Sequence, residues 1–198
     1  GGQRYRFGRC RGIGEFTRIV RNRRNESGQK GKTYQIEDML VDFNELPDNA
    51  RIWIYQANRS FTEEELQELE QSLTEFLKEW TAHGSHLHAG FEIRYKRFIV
   101  IGLDQTNVSA SGCSIDASVH YIQSLEKKYQ VELLDRMNVS FKQGEFIAYK
   151  PLKDFKKLAK ARSVSANTIV FNNLVATKQE YLENWEVPAS ESWHSRFV

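Results

Sequence analysis

The chain has 198 residues, of which 40% are hydrophobic and 27% charged, so it is long and apolar enough to bury the core of one ordinary domain. Its net charge is only +2, and its longest apolar run, residues 98–103, is the length of a strand, so no membrane span is predicted. No apolar segment follows the basic start, and therefore no secretory signal is predicted. Two distant cysteines, Cys10 and Cys113, cannot form a disulfide framework, and they predict a soluble cytoplasmic protein.

Residues 1–38 differ in composition from the rest of the chain. They hold ten basic and four acidic side chains, together with seven of the twelve glycines. Because they show no sustained period of 2 or 3.6, they predict a disordered or non-native extension, with Met39 as a candidate start. The alternative is a basic arm that binds nucleic-acid phosphates, although the sparse aromatics and the mildly acidic remainder argue against nucleic-acid binding elsewhere.

The first regular elements come soon after this extension. The segment RIWIYQ (51–56) alternates aliphatic and aromatic side chains, which predicts a β-strand. A capping box follows at residues 60–63 or 62–65. Leucines and aromatics then recur at helical spacing, which predicts a helix of about five turns that ends near His83, with Gly84 as its cap.

Hairpins and a second helix are predicted next. The runs HLHAGFEIRY and RFIVIGLD predict a β-hairpin that turns at Lys96, and MNVSFK and GEFIAYK predict two later strands. The stripe of the second helix consists of Ile115, Val119, Ile122, Leu125 and Tyr129. Beyond residue 150, the pattern predicts a short basic helix and a strand in TIVFNNLVA, where Asn172 and Asn173 indicate a bulge or, as the alternative, a polar site.

The predicted elements define a fold class. Over residues 51–150 their order is strand, helix, strand, strand, helix, strand, which predicts an α+β protein with a ferredoxin-like core, an antiparallel sheet covered by helices on one face. We expect right-handed crossovers to make the first and third strands parallel neighbours. Residues 151–198 add a C-terminal strand–helix–strand extension, and 39–198 together form a single domain.

Several motifs resemble those of a small bacterial family. They are RIWIYQANRSFTEEEL, WTAHG, EIRYKRFIVI, SGCSID, TIVFNNLV and WEVPASESWH. The resemblance extends from about Met39 to Val198, which is about four-fifths of the chain. Members of this family commonly carry the label "ABC transporter ATPase". An ATPase of that class needs a GxxxxGK[ST] loop to hold the phosphates, and the sequence contains none, so we predict neither ATP hydrolysis nor a cofactor.

The expected parallel strands predict a binding site at one edge of the sheet. The loops after the first and third strands would face each other there, and both helices would begin there, so that two sets of unpaired N–H groups converge on an anion. The predicted ligand-binding residues are Asn58, Arg59, Asp104, Gly112, Cys113 and Ser114. The alternative is that Asn58 and Arg59 only cap a helix start and that the small residues only form a turn.

Cysteine and histidine supply weaker candidates for chemistry. Cys113 immediately precedes the predicted second helix, where the helix dipole favours a thiolate, and it is the weak candidate for a catalytic nucleophile. His120 and Asp116 share its face, but seven residues of helix separate Cys113 from His120 by roughly 10 Å, so a cysteine that caps and packs is the preferred interpretation. His86 and His88 are the weak candidates for a metal site, since no clustered ligand completes a set of four.

These features predict a binding module for a small anionic or phosphate-bearing ligand. One alternative is a thiol-dependent or phosphate-ester-cleaving enzyme that uses the same edge of the sheet. Another is a protein–protein adaptor that uses the aromatic C-terminal region, residues 183–198, as its contact surface.

Overall fold

The computed structural model describes residues 40–198, so the predictions for residues 1–38 and for Met39 lie outside the described residues. All described residues fall in one structural unit. The strands are β1 (Arg51–Gln56), β2 (Thr81–Ala82), β3 (Ser85–His86), β4 (His88–Arg94), β5 (Phe98–Asp104), β6 (Asn138–Gln143), β7 (Phe146–Pro151), β8 (Ile169–Phe171) and β9 (Glu186–Pro188). The α-helices are α1 (Glu63–Glu79), α2 (Gly112–Tyr129), α3 (Leu152–Lys160) and α4 (Lys178–Asn184). The α+β class is therefore confirmed.

A three-stranded sheet with the order β1–β5–β4 lies at the centre of the fold, and both of its strand pairs are antiparallel. The predicted first and third strands, β1 and β5, are neighbours, but the prediction that they are parallel is wrong. The reason is the tight turn at Tyr95 and Lys96, which both have positive φ, so that β4 folds back directly into β5. Because a helix crossover makes β1 and β4 parallel, β5 between them must oppose both.

Helices α1 and α2 cover one face of this sheet. Thr62 caps α1, and its hydroxyl and the Glu65 carboxylate form the predicted capping box with each other's backbone N–H. The helix ends at Glu79 rather than near His83, because His83 and Gly84 both have positive φ and form the turn between β2 and β3. The leucines of α1 pack with Tyr55, Leu87 and the buried face of α2 in one apolar core.

The buried stripe of α2 differs from the prediction at its beginning. Ile122, Leu125 and Tyr129 are buried as predicted, but Ser114 and Ser118 take the places expected for Ile115 and Val119. Ser114 lies beside Trp80, whose indole Nε1 donates to the Ser114 carbonyl at 2.8 Å, whereas Ser118 interacts with the Tyr55 hydroxyl. A small residue is needed where this large ring packs against the first turn of α2.

A second sheet with the order β7–β6–β8–β9 packs near the opposite face of the first. The predicted fourth strand of the ferredoxin-like core, β6, belongs to this second sheet, where it pairs with β7 and β8 instead of β1. Phe171 at the end of β8 contacts Phe98 of the central sheet, with ring centroids 4.7 Å apart, and Trp185 packs against both rings. The first sheet is thus covered by helices on one face and by apolar groups of the second sheet on the other.

The C-terminal region holds more regular structure than predicted. The helix expected after Pro151 is α3, but the strand expected in TIVFNNLVA ends at Phe171. The predicted bulge at Asn172 and Asn173 is wrong, because both residues have left the strand: Asn172 donates its N–H to the Trp185 carbonyl at 2.6 Å. Helix α4 and strand β9 lie in a segment whose sequence shows no clear hydrophobic period, and neither was predicted.

We predict that Gly90→Ala destabilises the protein, because an added Cβ would lie 2.6 Å from the backbone oxygen of Val41 and 3.2 Å from the Cα of Phe43. Backbone atoms cannot rotate away as a side chain can, so we expect the free energy of unfolding to fall by about 1–3 kcal/mol. Gly112→Ala is the matched control, since nothing lies within 4 Å of its added Cβ. Urea unfolding of both variants checks this, and equal losses would contradict it.

Candidate functional site

The antiparallel orientation of β1 and β5 separates the residues of the predicted site. Gln56 at the end of β1 pairs with Phe98 at the start of β5, whereas Leu103 near the end of β5 pairs with Arg51. The loop that holds Asn58 and Arg59 therefore lies at one end of the strand pair. The loop from Asp104 to the start of α2 lies at the other end, and the structure does not bring the two groups together.

The Arg59 side chain bonds to groups of both α1 and α2. Its guanidinium forms a bidentate ion pair with Glu65, at 2.7 and 2.8 Å, and donates to the Tyr129 carbonyl at the end of α2, at 2.5 Å. This hydrogen-bonded guanidinium lowers the pKa of Glu65 to about 2. Asn58 accepts the Glu132 N–H at 3.2 Å. Both side chains connect the loop before α1 to the end of α2 and the residues just after it, and neither caps α1, whose cap is Thr62.

The remaining predicted residues hold turns and caps. The Asp104 carboxylate accepts from the backbone N–H and the hydroxyl of Thr106, at 2.8 and 2.6 Å. Ser111 caps α2, and the buried Ser114 completes its capping box. Cys113 is exposed within the first turn of α2 rather than just before it.

The histidine candidates do not assemble a site in the described chain. No hydrogen bond or ion pair joins Asp116 to His120 among residues 40–198. The His86 ring lies 3.1 Å from the Lys78 carbonyl. Within the part of the chain that the structure describes, no three His, Cys, Asp or Glu residues are grouped so as to hold a metal ion.

A cleft of about 320 Å³ lies instead along the outer edge of β1, and we call it the edge cleft. Its floor is β1 itself. The lining residues 133–136, which follow α2, and the Trp53 side chain form the helix-side wall, because Trp53, Leu133 and Leu134 pack in the core beneath α1 and α2. The lining residues 173–176, which follow β8, form the opposite wall, because Val175 packs in the core on the other face of β1, and His194 lies on this side of the cleft as well. The volume lies at the lower end of the range typical of small-ligand pockets.

The floor of the edge cleft exposes strand backbone. The N–H of Ile52 points outward, because it donates to the Ala176 carbonyl at 2.9 Å, and the Lys178 N–H reaches the Ala50 carbonyl at 2.9 Å. Alternation along a strand directs the N–H and C=O of Ile54 to the same outer side. Among residues 40–198 the Ile54 N–H has no hydrogen-bond partner, so half of the β1 edge is paired and half is open.

The wall on the helix side carries two arginines, Arg51 and Arg136, and one carboxylate, Asp135. The Arg51 guanidinium stacks on the Trp53 ring, 4.5 Å from its centroid. Arg136 is exposed and near enough to Tyr55 to oppose the rise that burial causes in the pKa of that phenol. Neither arginine forms an ion pair with any residue of 40–198. The neighbouring Asp135 carboxylate accepts the Met137 N–H at 2.8 Å.

The wall on the second-sheet side is polar and buried. The Gln56 amide oxygen accepts from Ser140 Oγ at 2.8 Å and from Asn173 Nδ2 at 2.9 Å, and Asn173 in turn accepts from Trp185 Nε1. His194 is 1% exposed, and its Nδ1 lies 2.7 Å from Ser192 Oγ. Its Nε2 is buried and has no hydrogen-bond partner, and burial lowers the pKa of His194 to about 4.

The sequence held one signal for this cleft. Asn172 and Asn173 interrupt an apolar run, and Asn173 lines the cleft and donates to the Gln56 amide oxygen. No local pattern marked Arg51 or Arg136, because their significance depends on the open edge of β1. The same pair of asparagines is compatible with a bulge and with a polar site, and only tertiary contacts distinguish the two.

Comparison with known proteins identifies no relative. No family model, curated protein or solved structure matches the chain. The resemblance to the bacterial family therefore stays a prediction. Among residues 40–198, no helix has both the length and the apolar composition to cross a bilayer.

We predict that Arg59→Ala lowers the free energy of unfolding by about 1–2 kcal/mol, because it removes a half-exposed ion pair and a hydrogen bond to the α2 terminus. Lys157→Ala is the control, since it breaks only an exposed ion pair with Asp154 and should cost almost nothing. Urea unfolding at pH 7 compares the two. Equal stability of both variants would show that Arg59 does not tie the helices.

We predict that His194 makes the protein sensitive to mild acid. Its folded pKa of about 4 lies below the unfolded value near 6.5, so its contribution to stability is complete above pH 6.5 and is lost as the pH falls toward 4. Over that window the free energy of unfolding should decrease by up to about 1.4 kcal/mol per pH unit more than in His194→Gln. A wild-type slope in His194→Gln would contradict the prediction.

Proposed function

We propose that the protein is a binding module for a small anionic ligand, and that the ligand occupies the edge cleft. The observation that carries this proposal is a pair of arginines, Arg51 and Arg136, on a cleft wall with no acidic partner in the described chain. Unpaired guanidinium groups that are held near a concave, partly apolar surface favour carboxylate and phosphate groups.

The same reasoning removes Arg59 from the ligand site. Its charge is balanced by Glu65, and its N–H groups already have acceptors. The proposal therefore keeps the predicted ligand class and moves the site. No specific observation favours the enzyme alternative, since Cys113 does not line the edge cleft.

The edge cleft also has a place in the proposed fold. The unit β1–α1–β4–β5 has the order of the first part of a ferredoxin-like core, and such a core would place its fourth strand beside β1. In the present chain β6 lies in the second sheet, and the vacated position is the cleft. We propose that the binding site arose where a strand of that core is replaced.

The test is an NMR titration of the full chain with benzoate, and separately with inorganic phosphate. We expect shifts at Trp53, Ile54 and Asn173, and we expect Arg51→Gln and Arg136→Gln each to weaken binding about tenfold, the effect of one charge-assisted hydrogen bond.

Arg162→Gln is the matched control, because it removes an exposed arginine that does not line the cleft. It should leave the affinity unchanged. Shifts centred on Arg59, or equal binding by the Arg51 and control variants, would overturn the proposal.

A further inference from the structure

We infer that the ligand of the edge cleft is a short acidic peptide in extended conformation, which adds a strand to the open half of the β1 edge. This inference rests on the proposed function, because it uses the same cleft and the same arginines. It adds the chemical class of the ligand, its antiparallel direction along β1 and the groups that it pairs with.

The backbone of β1 supplies the first argument. The chain's own segment at Thr177 already pairs antiparallel with Arg51 on the outer edge, and the Ile52 N–H donates to the Ala176 carbonyl. The next outward groups along β1 are the N–H and C=O of Ile54, and its N–H has no partner among residues 40–198. An extended peptide would continue the strand that residues 176–177 begin.

The length of the cleft supplies the second argument. Ala176 limits the open edge at one end, and at the other the Gln56 side chain donates to the Asn138 carbonyl at 2.9 Å. The residues between them are 53–55, which span about 10 Å of strand. The edge cleft therefore has room for about three paired peptide residues.

The two walls supply the third argument, because they differ in chemistry. Successive side chains of a strand point to opposite faces of the sheet, and directly paired residues of neighbouring strands point to the same face. Peptide residues opposite Trp53 and Tyr55 would therefore face the wall that carries Arg51 and Arg136. The residue opposite Ile54 would face the other wall. The pattern that fits is acidic, apolar, acidic.

The wall opposite Arg136 offers a suitable surface for the central residue. Val175 is buried there and supplies apolar contact, and the buried His194 Nε2 is a polar atom without a partner among residues 40–198. Two large apolar side chains, Met137 and Leu174, are 67% and 69% exposed beside the cleft. They are placed to contact peptide residues that extend beyond the paired three.

Charge selects the partner. A peptide with two carboxylates complements Arg51 and Arg136, whereas the segment 1–38 of this chain, with ten basic and four acidic side chains, has the wrong sign to occupy the cleft. The occupant is thus a separate acidic segment of a partner.

The first experiment titrates the full chain with the blocked tripeptide acetyl-Glu-Val-Glu-amide, followed by NMR. The controls are acetyl-Lys-Val-Lys-amide and acetyl-Val-Glu-Val-amide. We expect the acidic tripeptide to bind at least tenfold more tightly than either control, and to lose that advantage in Arg51→Gln but keep it in Arg162→Gln. Equal affinity of the three peptides would overturn the inference.

The second experiment tests strand pairing through the peptide backbone. The amide of the central valine would donate to the Ile54 carbonyl, while the amide of the following glutamate would point away from β1. N-methylation of the valine amide should therefore weaken binding at least tenfold, and N-methylation of the last glutamate amide should change it less than twofold. Equal effects of the two methyl groups would overturn strand pairing.

The outcomes separate this inference from the proposed function. If benzoate binds and depends on Arg51, but the two N-methyl peptides bind equally, the anion site stands and the strand pairing is wrong. If neither benzoate nor any peptide binds, both fail. Sedimentation of the chain without peptide tests a further outcome. If it shows a dimer that dissociates in Arg51→Gln, a second copy of the chain occupies the cleft and the peptide inference is overturned.

Discussion

The connection between β1 and β5 determines where the other groups of the protein lie. A helix crossover leads from β1 to β4, and a tight turn at Tyr95 and Lys96 leads from β4 to β5. The crossover makes β1 and β4 parallel, and the turn reverses the chain, so β5 runs against both. As a result the C-terminal ends of β1 and β5 lie at opposite ends of the sheet, so the loops that hold Arg59 and Asp104 cannot meet.

The same connection leaves β1 at the edge of its sheet, and an open strand edge carries a risk of aggregation. Unpaired N–H and C=O groups invite pairing with other chains, and charged residues beside an edge strand discourage that pairing. Arg51 and Arg136 could serve only this protective purpose. Two features argue for a ligand as well: Arg51 stacks on Trp53 rather than extending into solvent, and both walls rise above the edge to form a cleft.

Local signals in the sequence predicted most of the elements, because local contacts produce them. The capping box at Thr62, the alternation of β1 and the hairpin turn at Lys96 all depend on residues within a few positions of one another. Helix α4 carried the same kind of signal, a capping box from Thr177 to Glu180, and was missed because its seven residues are too short for a clear period. The burial of Ser114 could not be predicted, since it depends on packing against Trp80, a residue of another element.

The site could not be predicted from the sequence because charge alone does not show which arginine is available. Arg59 and Arg51 are the same residue type, and each lies at one end of β1. The charge of Arg59 is balanced by Glu65, six residues later, and its guanidinium also donates to the Tyr129 carbonyl, seventy residues later. This combination exists only once α1 and α2 are packed. Arg51 meets an aromatic ring instead of a carboxylate, so its positive charge remains to be balanced. In this fold, the proposed binding site is therefore marked by two arginines that form no ion pair with residues 40–198 and that lie beside the strand edge that β6 does not cover.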